Sequence, residues 1–271
     1  MTETERYSSH SDGAGQRVRL HGPEAFAGMR AAGRLAAATL DAVAPYVVPG
    51  VTTAELDRRC EEFMRDHGAV PATIGYHGYR HASCISVNHV VTHGIPSDKR
   101  LAEGDIVNID VTPIVDGWHG DTSRTFAVGK VSRLAERLMA ATFEAMMAGI
   151  AVVRPGATLG DVGHAIETVA LRERFSVVQE YCGHGLGRVF HDAPDVLHYG
   201  DPGTGLVLEP GMIFTIEPML NAGRAATKLL AAGWTAVTRD RSLSAQYEHS
   251  VGVTESGVEI FTVSANSETA K

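Results

Sequence analysis

Four acids and one histidine spread between residues 110 and 248, Asp110, Asp121, His184, Glu217 and Glu248, are the residues whose types could do chemistry together. Carboxylates bridge hard or borderline cations, and each cation offsets the repulsion between acids held side by side. Such a set can hold two divalent ions and form a dinuclear hydrolytic centre. Each acid has an ordinary reading when taken singly. An Asp pair flanking a hairpin is common on solvated surfaces, and a lone Gly-His-Gly is commonly a satisfied loop histidine.

The local context favours ligation. Asp110 closes an apolar strand, an Asp116-Gly117 turn reverses the chain, and Asp121 lies on the return. With a two-residue turn Asp121 pairs opposite Thr112, whose side chain shares the face of Asp110. His184 stands in Cys-Gly-His-Gly-Leu-Gly, where flanking glycines remove bulk and permit unusual backbone angles. Glu217 follows an apolar strand and Glu248 precedes another, places where a carboxylate is costly to bury unless it is paired or bound to metal. His93 and His191 both occur as His-x-x-Pro, and imidazoles near a metal can hydrogen-bond a carbonyl or shuttle a proton.

The elements that position these residues come in two similar sets. Val48-Pro49-Gly50-Val51-Thr52 resembles Arg154-Pro155-Gly156-Ala157-Thr158, each a turn entering a helix capped by threonine. Gly104 to Asp110 then resembles Gly211 to Glu217 at nearly the same offset, each a strand ending in an acid. This predicts two pseudo-symmetric αβ halves, residues 40–130 and 147–260, meeting at a shared centre. Helical periodicity covers 23–44, 52–67, 132–150 and 158–174. Residues 1–20 read as a disordered polar tail, 21–265 as one catalytic domain and 266–271 as a second tail.

Composition narrows the function class. The 271 residues are 44% hydrophobic, with 24 Lys plus Arg against 32 Asp plus Glu. The net charge of -8 argues against nucleic acid or an anionic membrane as the main partner. No apolar run is long enough to span a bilayer, no signal-peptide core is visible, and Cys60, Cys84 and Cys182 form no even framework. A cytoplasmic setting with free thiols is the expectation. The chain carries no GxSxG elbow, HExxH helix, Walker loop or GxGxxG fingerprint.

Several motifs carry a closer likeness: Gly75-Tyr76-His77-Gly78-Tyr79, His93-Gly94-Ile95-Pro96, Asn108-Ile109-Asp110, Gly120-Asp121-Thr122-Ser123-Arg124, Thr215-Ile216-Glu217-Pro218 and Ser242 to His249. Together with Gly183-His184-Gly185 they resemble the type I methionine aminopeptidases over residues 20–263, in the short bacterial form. The resemblance implies the α+β pita-bread fold, two halves around a curved antiparallel sheet, and removal of the initiator methionine from nascent polypeptides when the second residue is small. It implies that Asp110 chelates one ion, Asp121 and Glu248 bridge two, and His184 and Glu217 complete the coordination of the second ion. The two cofactor ions would be Co²⁺, Mn²⁺, Fe²⁺ or Zn²⁺, and a metal-bridging water or hydroxide would be the nucleophile.

The same resemblance makes Glu217 the proton acceptor, His191 a hydrogen-bond partner of the peptide carbonyl and His93 a contact to the scissile nitrogen or the next residue. It places Thr73, Tyr76, Tyr79, Cys84, Phe190 and Trp234 with His93 around the methionine side chain. Thr73 departs from the cysteine of some relatives. A monovalent cation would sit on the carbonyls of Asn88, Val90 and Ser244. The resemblance also implies a monomer with transient ribosome association, without the amino-terminal extension of longer subtypes. Two other readings stay open: a proline-directed pita-bread peptidase, and a non-catalytic relative that uses the cleft for binding.

Overall fold

Among the described residues, four α-helices and a set of short antiparallel strands follow directly from capping, turn and packing chemistry. A computed structural model of the chain describes residues 6–11, 15 and 17–264. Helix α1, Pro23–Val43, opens on proline and buries an alanine-rich stripe that includes Met29, Ala32, Ala36 and Leu40. Its small residues permit close approach: a Cβ on Gly33 would meet the Phe261 carbonyl oxygen at 2.4 Å. Helix α2, Thr53–Asp66, is capped by Thr52, whose side chain accepts from Glu55 N. Helix α3, Arg133–Ala151, is capped in the same way by Ser132. Helix α4, Leu159–Arg172, opens on a reciprocal capping box between Thr158 and Asp161.

The two helix pairs back two antiparallel sheets. In the first, Ile106–Val111 is central between Ser83–Val87 and Thr122–Ala127. The central strand and Thr122–Ala127 are joined by the hairpin Pro113–Val115 and Trp118–His119, whose two turn residues Asp116 and Gly117 both have positive φ. In the second, Asp192–Val196, Gly183–Gly185, Ile213–Ile216, His249–Val253 and Val258–Ile260 pair in that order. Helices α1 and α2 share one apolar cluster with the first sheet, and α3 and α4 share a larger one with the second. Each fully buried aliphatic side chain there, such as Leu56 or Ile166, contributes about 1.5–3 kcal/mol.

The similar segments make matching hydrogen bonds. Gly50 N donates to Leu101 O at 2.7 Å, and Gly156 N donates to Leu208 O at 2.9 Å. Thr53 N reaches Lys99 O at 3.0 Å, and Leu159 N reaches Leu206 O at 3.0 Å. In each case the turn before a helix is tied to the segment that feeds the acid-bearing strand.

The halves meet where residues 246–250 dock on the strand Thr122–Ala127. Gln246 O accepts Asn108 Nδ2 at 2.9 Å and Thr125 Oγ1 at 2.6 Å. Thr122 Oγ1 donates to Glu248 O at 2.7 Å, Glu248 N donates to Ser123 O at 3.1 Å, and Ser250 Oγ donates to Asp121 O at 2.6 Å. This seam fixes Glu248 beside the first sheet's acids.

One expectation fails. The stretch read as a disordered tail over residues 1–20 is, where described, an antiparallel ribbon of Arg6–Ser11 with Arg17–Leu20. Its polarity hides it, because Val18 is its one buried apolar side chain and joins the α3/α4 cluster. Ser8 Oγ accepts Val18 N at 2.9 Å, and Glu209 accepts Ser9 N at 2.6 Å. Residues 1–5 and the tail expected over 266–271 lie outside the described residues.

Candidate active site

The five ligand candidates converge on one cavity of about 620 Å³, bordered also by Thr73, Tyr76, Tyr79, Cys84, His93, Phe190, His191 and Trp234. Asp110 comes from the central strand of the first sheet, where it pairs with Cys84 on one side and Ser123 on the other. Asp121 follows the hairpin in the register that puts it opposite Thr112, and Thr112 Oγ1 donates to Asp121 Oδ1 at 2.7 Å. His184 comes from the second sheet and Glu217 directly follows its strand Ile213–Ile216. Donor atoms of Asp121, His184 and Glu248 all lie within 4.8 Å of one another. His184 Nε2 is 3.5 Å from Asp121 Oδ2 and 3.7 Å from Glu217 Oε1.

Orientation is set from behind. His184 Nδ1 faces Gly185 O at 3.0 Å, which leaves Nε2 aimed at the acids. The glycines that flank His184 are required by close packing: neither has positive φ, whereas a Cβ on Gly183 would meet Thr215 O at 2.4 Å and one on Gly185 would meet Ala193 O at 2.0 Å. The bulk argument from sequence therefore holds, and the argument from backbone angle does not. Glu217 is held by Thr215 Oγ1 on Oε1 at 2.8 Å and Gln246 Nε2 on Oε2 at 3.1 Å, with its N–H directed to His198 Nε2 at 3.3 Å.

The electrostatics describe acids that need a cation. Burial, then the charges of Asp121 and Glu217, raises Asp110 well above the carboxylate range. Glu248 is raised in the same way, by burial and then by Asp121, Glu217 and Asp110. Burial lifts Glu217 to about 7 against the pull of His184. For His184, burial opposes the charged ring, but the Asp121 hydrogen bond and the Glu217 and Asp121 charges outweigh it and raise the group to about 9. Acids that obstruct one another's ionisation this way are relieved by divalent ions. An oxygen-rich set with one imidazole suits hard to borderline metals.

The apolar side of the cavity is aromatic. Tyr79 meets Trp234 edge-on at 5.0 Å, Tyr76 stacks on His191 at 5.1 Å, and His93 lies edge-on to Trp234 at 6.3 Å. His93 takes the left-handed φ of 54°, a strained setting for a residue with a side chain, and burial lowers its pKa. His191 is lowered too, by burial and then by the His184 charge.

The monovalent-cation candidates are not among the cavity residues. Asn88 O accepts Ser244 N at 2.8 Å, while Val90 pairs with Val237. Ser244 Oγ is buried without a hydrogen-bond partner.

Sequence reasoning passed over several functional neighbours. Thr215 and Gln246 each lie two residues before a ligand, on the same strand face, so period-two alternation could have found them. Tyr181, Cys182 and Met219 also border the cavity. His198 has no such signal, because its partner is the backbone N–H of Glu217, 19 residues away.

This fold and this acid-histidine cluster define a class, and comparison with known proteins agrees. Residues 27–255 match metallopeptidase family M24, to which the chain belongs. Within it, the chain is 56% identical over 248 residues to the methionine aminopeptidase of Rickettsia prowazekii, covering 91% of this chain and 96% of that one. It is 53% identical to the methionine aminopeptidase of Escherichia coli K12, covering 91% and 94%. The crystal structure of the Rickettsia prowazekii enzyme superposes with a TM-score of 0.90, covering 91% of this chain and all of that one. A prolidase from Pyrococcus horikoshii shares the pita-bread fold at a TM-score of 0.72 and 21% identity, the match covering 63% of its chain. The fold is thus the pita bread expected from sequence, and the chain groups with the short methionine aminopeptidases. Among the described residues no helix is long and apolar enough to cross a membrane.

Proposed function

We propose that the chain removes the amino-terminal methionine of new polypeptides when the following residue is small. The observation that carries this reading is the joining, in one cavity, of the acid-histidine cluster to an aromatic wall built by Tyr79, Tyr76 and Trp234. Asp110, Asp121, His184, Glu217 and Glu248 would hold two divalent ions. Bound there, the ions would activate water and polarise the scissile carbonyl.

The chain's own groups then have defined tasks. Glu217, steadied by Thr215 and Gln246, accepts the proton of the attacking water on its carboxylate and passes it to the leaving amine. His191, at the mouth, donates to the peptide carbonyl, and His93 contacts the scissile nitrogen. Both are lowered, so each ring is neutral at cytoplasmic pH and offers one donor and one acceptor. The thioether of methionine suits the wall of Tyr76, Tyr79, Cys84, Phe190 and Trp234, closed by Thr73, through dispersion and sulfur-aromatic contact.

The substrate is a nascent chain met in the cytoplasm by a monomeric enzyme in transient association with the ribosome. Asn88, Val90 and Ser244 would supply a monovalent cation site whose role is structural. A proline-directed specificity gains no support from the cavity, whose apolar wall is aromatic and suits a thioether. Release of methionine from Met-Ala-Ser by the Mn²⁺-loaded protein, lost in Asp110→Ala, tests the reading; turnover that survives in that variant contradicts it.

A further inference from the structure

The wall of the methionine pocket is irregular backbone, and its rigidity has to come from elsewhere. Thr73, Tyr76 and Tyr79 lie on a loop that contains three residues with positive φ, Gly75 at 87°, His77 at 45° and Gly78 at 86°. Ala72 N donates to Thr112 O at 2.8 Å and ties the start of the loop to the sheet, but beyond it the backbone bonds are internal turns, Tyr76 N to Thr73 O at 3.1 Å and Gly75 N to Tyr79 O at 2.7 Å. Turns of this kind shape a loop without fixing it to the rest of the molecule.

The anchor is on a helix outside the cavity. Asp57, on the buried face of α2, is 7% exposed. Its Oδ1 accepts Ser83 N at 2.9 Å and Ser83 Oγ at 2.7 Å, and its Oδ2 faces His81 Nδ1 at 3.3 Å. Burial pushes Asp57 upward, and the Ser83 hydrogen bonds and the His81 charge pull it back. An acid in so dry a place is kept by what it binds.

Those partners lead straight to the pocket. His81 O accepts Thr73 Oγ1 at 2.7 Å. Ser83 O accepts Tyr79 OH at 3.0 Å, the shorter of its two contacts (Gly94 O is at 3.2 Å), and Ser83 is followed by Cys84. Three pocket residues are therefore one or two bonds from a single carboxylate that does not border the cavity.

We propose that Asp57 is a positioning residue for substrate selection, holding Thr73, Tyr79 and Cys84 in the geometry that grips a methionine side chain. The inference rests on the aminopeptidase reading given above. It assigns to α2 a role in specificity: Asp57 does not border the cavity, and it reaches the strand beside Asp110 through Ser83, whose neighbour Cys84 pairs with Asp110. A wall that loosens by a fraction of an ångström should weaken side-chain binding and blur discrimination while the chemistry proceeds.

The test compares the Mn²⁺-loaded wild type with Asp57→Asn and Ser83→Ala, on Met-Ala-Ser and Leu-Ala-Ser. Asp57→Asn keeps the shape but puts an amide in place of one acceptor, and Ser83→Ala removes one donor. In Asp57→Asn, KM for Met-Ala-Ser should rise about tenfold with kcat within about threefold, and preference for methionine over leucine should fall about tenfold. Ser83→Ala should shift both the same way by less, and it decides the matter if Asp57→Asn does not fold. Mn²⁺ affinity by calorimetry should be unchanged in either.

A further readout needs no turnover: N-ethylmaleimide should label Cys84, located by peptide mass, several-fold faster in the variants as the wall opens. Unchanged KM, preference and labelling, with any loss confined to melting temperature, overturn the proposal. A wild type that releases no methionine overturns the aminopeptidase reading instead, and the Cys84 labelling still decides whether Asp57 holds the wall.

Discussion

Thr112 Oγ1 donates to Asp121 Oδ1 at 2.7 Å, so the register of one hairpin aims a metal ligand. The same register pairs Val115 with Trp118 across Asp116-Gly117 and Val111 with Thr122, and it places Thr112 and Asp121 opposite one another. A one-residue slip would turn Asp121 away from the cavity.

Removing that donor should therefore be felt by the metal. Thr112→Val keeps the volume of the side chain and strips its hydrogen bond, and Mn²⁺ affinity measured by calorimetry should fall at least about tenfold. Thr112→Ser should restore most of it.

Metal binding should release protons in a pH-dependent way. Without metal, Glu217 is raised to about 7 and His184 to about 9, so each holds its proton below those values and must lose it to become a ligand. Affinity should thus rise with pH up to about 9, by about tenfold per pH unit for each proton displaced. Titrations in buffers of different ionisation enthalpy should show more protons released at pH 6 than at pH 8.

Acid sensitivity should come in part from histidines kept neutral in the fold. Burial lowers His198 to about 3, far below its unfolded value of 6.5. Between those values the unfolded chain binds a proton that the folded chain does not, so stability is complete above pH 6.5 and falls as pH drops toward 3. His249 and His21, each lowered to about 4, act in the same direction. His198→Gln, which keeps an acceptor for Glu217 N, should flatten the dependence of urea stability between pH 6 and 4 by up to about 1.4 kcal/mol per pH unit.

The glycine after His184 should tolerate nothing larger. A Cβ on Gly185 would lie 2.0 Å from the Ala193 carbonyl oxygen, a backbone atom with little freedom to move. Gly185→Ala should cost on the order of 2 kcal/mol or more in chemical unfolding, and Mn²⁺ affinity should weaken as His184 shifts.

The parts legible in sequence were those with local rules. The Asp116-Gly117 turn fixed its own hairpin, the Thr52 and Thr158 caps marked their helices, and alternation brought Asp110 and Glu217 to strand ends on matching paths. Other parts depended on contacts distant in the chain. The described residues of the ribbon, 6–11 and 17–20, bury a single valine, too little for periodicity to register. His198 reaches Glu217 through a backbone N–H, and Asp57 reaches the pocket through the carbonyls of His81 and Ser83; neither relation leaves a pattern in residue types. The glycines flanking His184 were visible, but their cause was packing against Thr215 and Ala193.

The central claim is a methionine-removing activity confined to small second residues, and a matched peptide pair tests it most directly. Metal-stripped protein is reloaded separately with Mn²⁺, Fe²⁺, Co²⁺ or Zn²⁺, and free methionine is measured from Met-Ala-Ser and Met-Leu-Ser. The account predicts metal-dependent release from the alanine peptide and little from the leucine peptide. Equal release from both, or none with any metal, would contradict it.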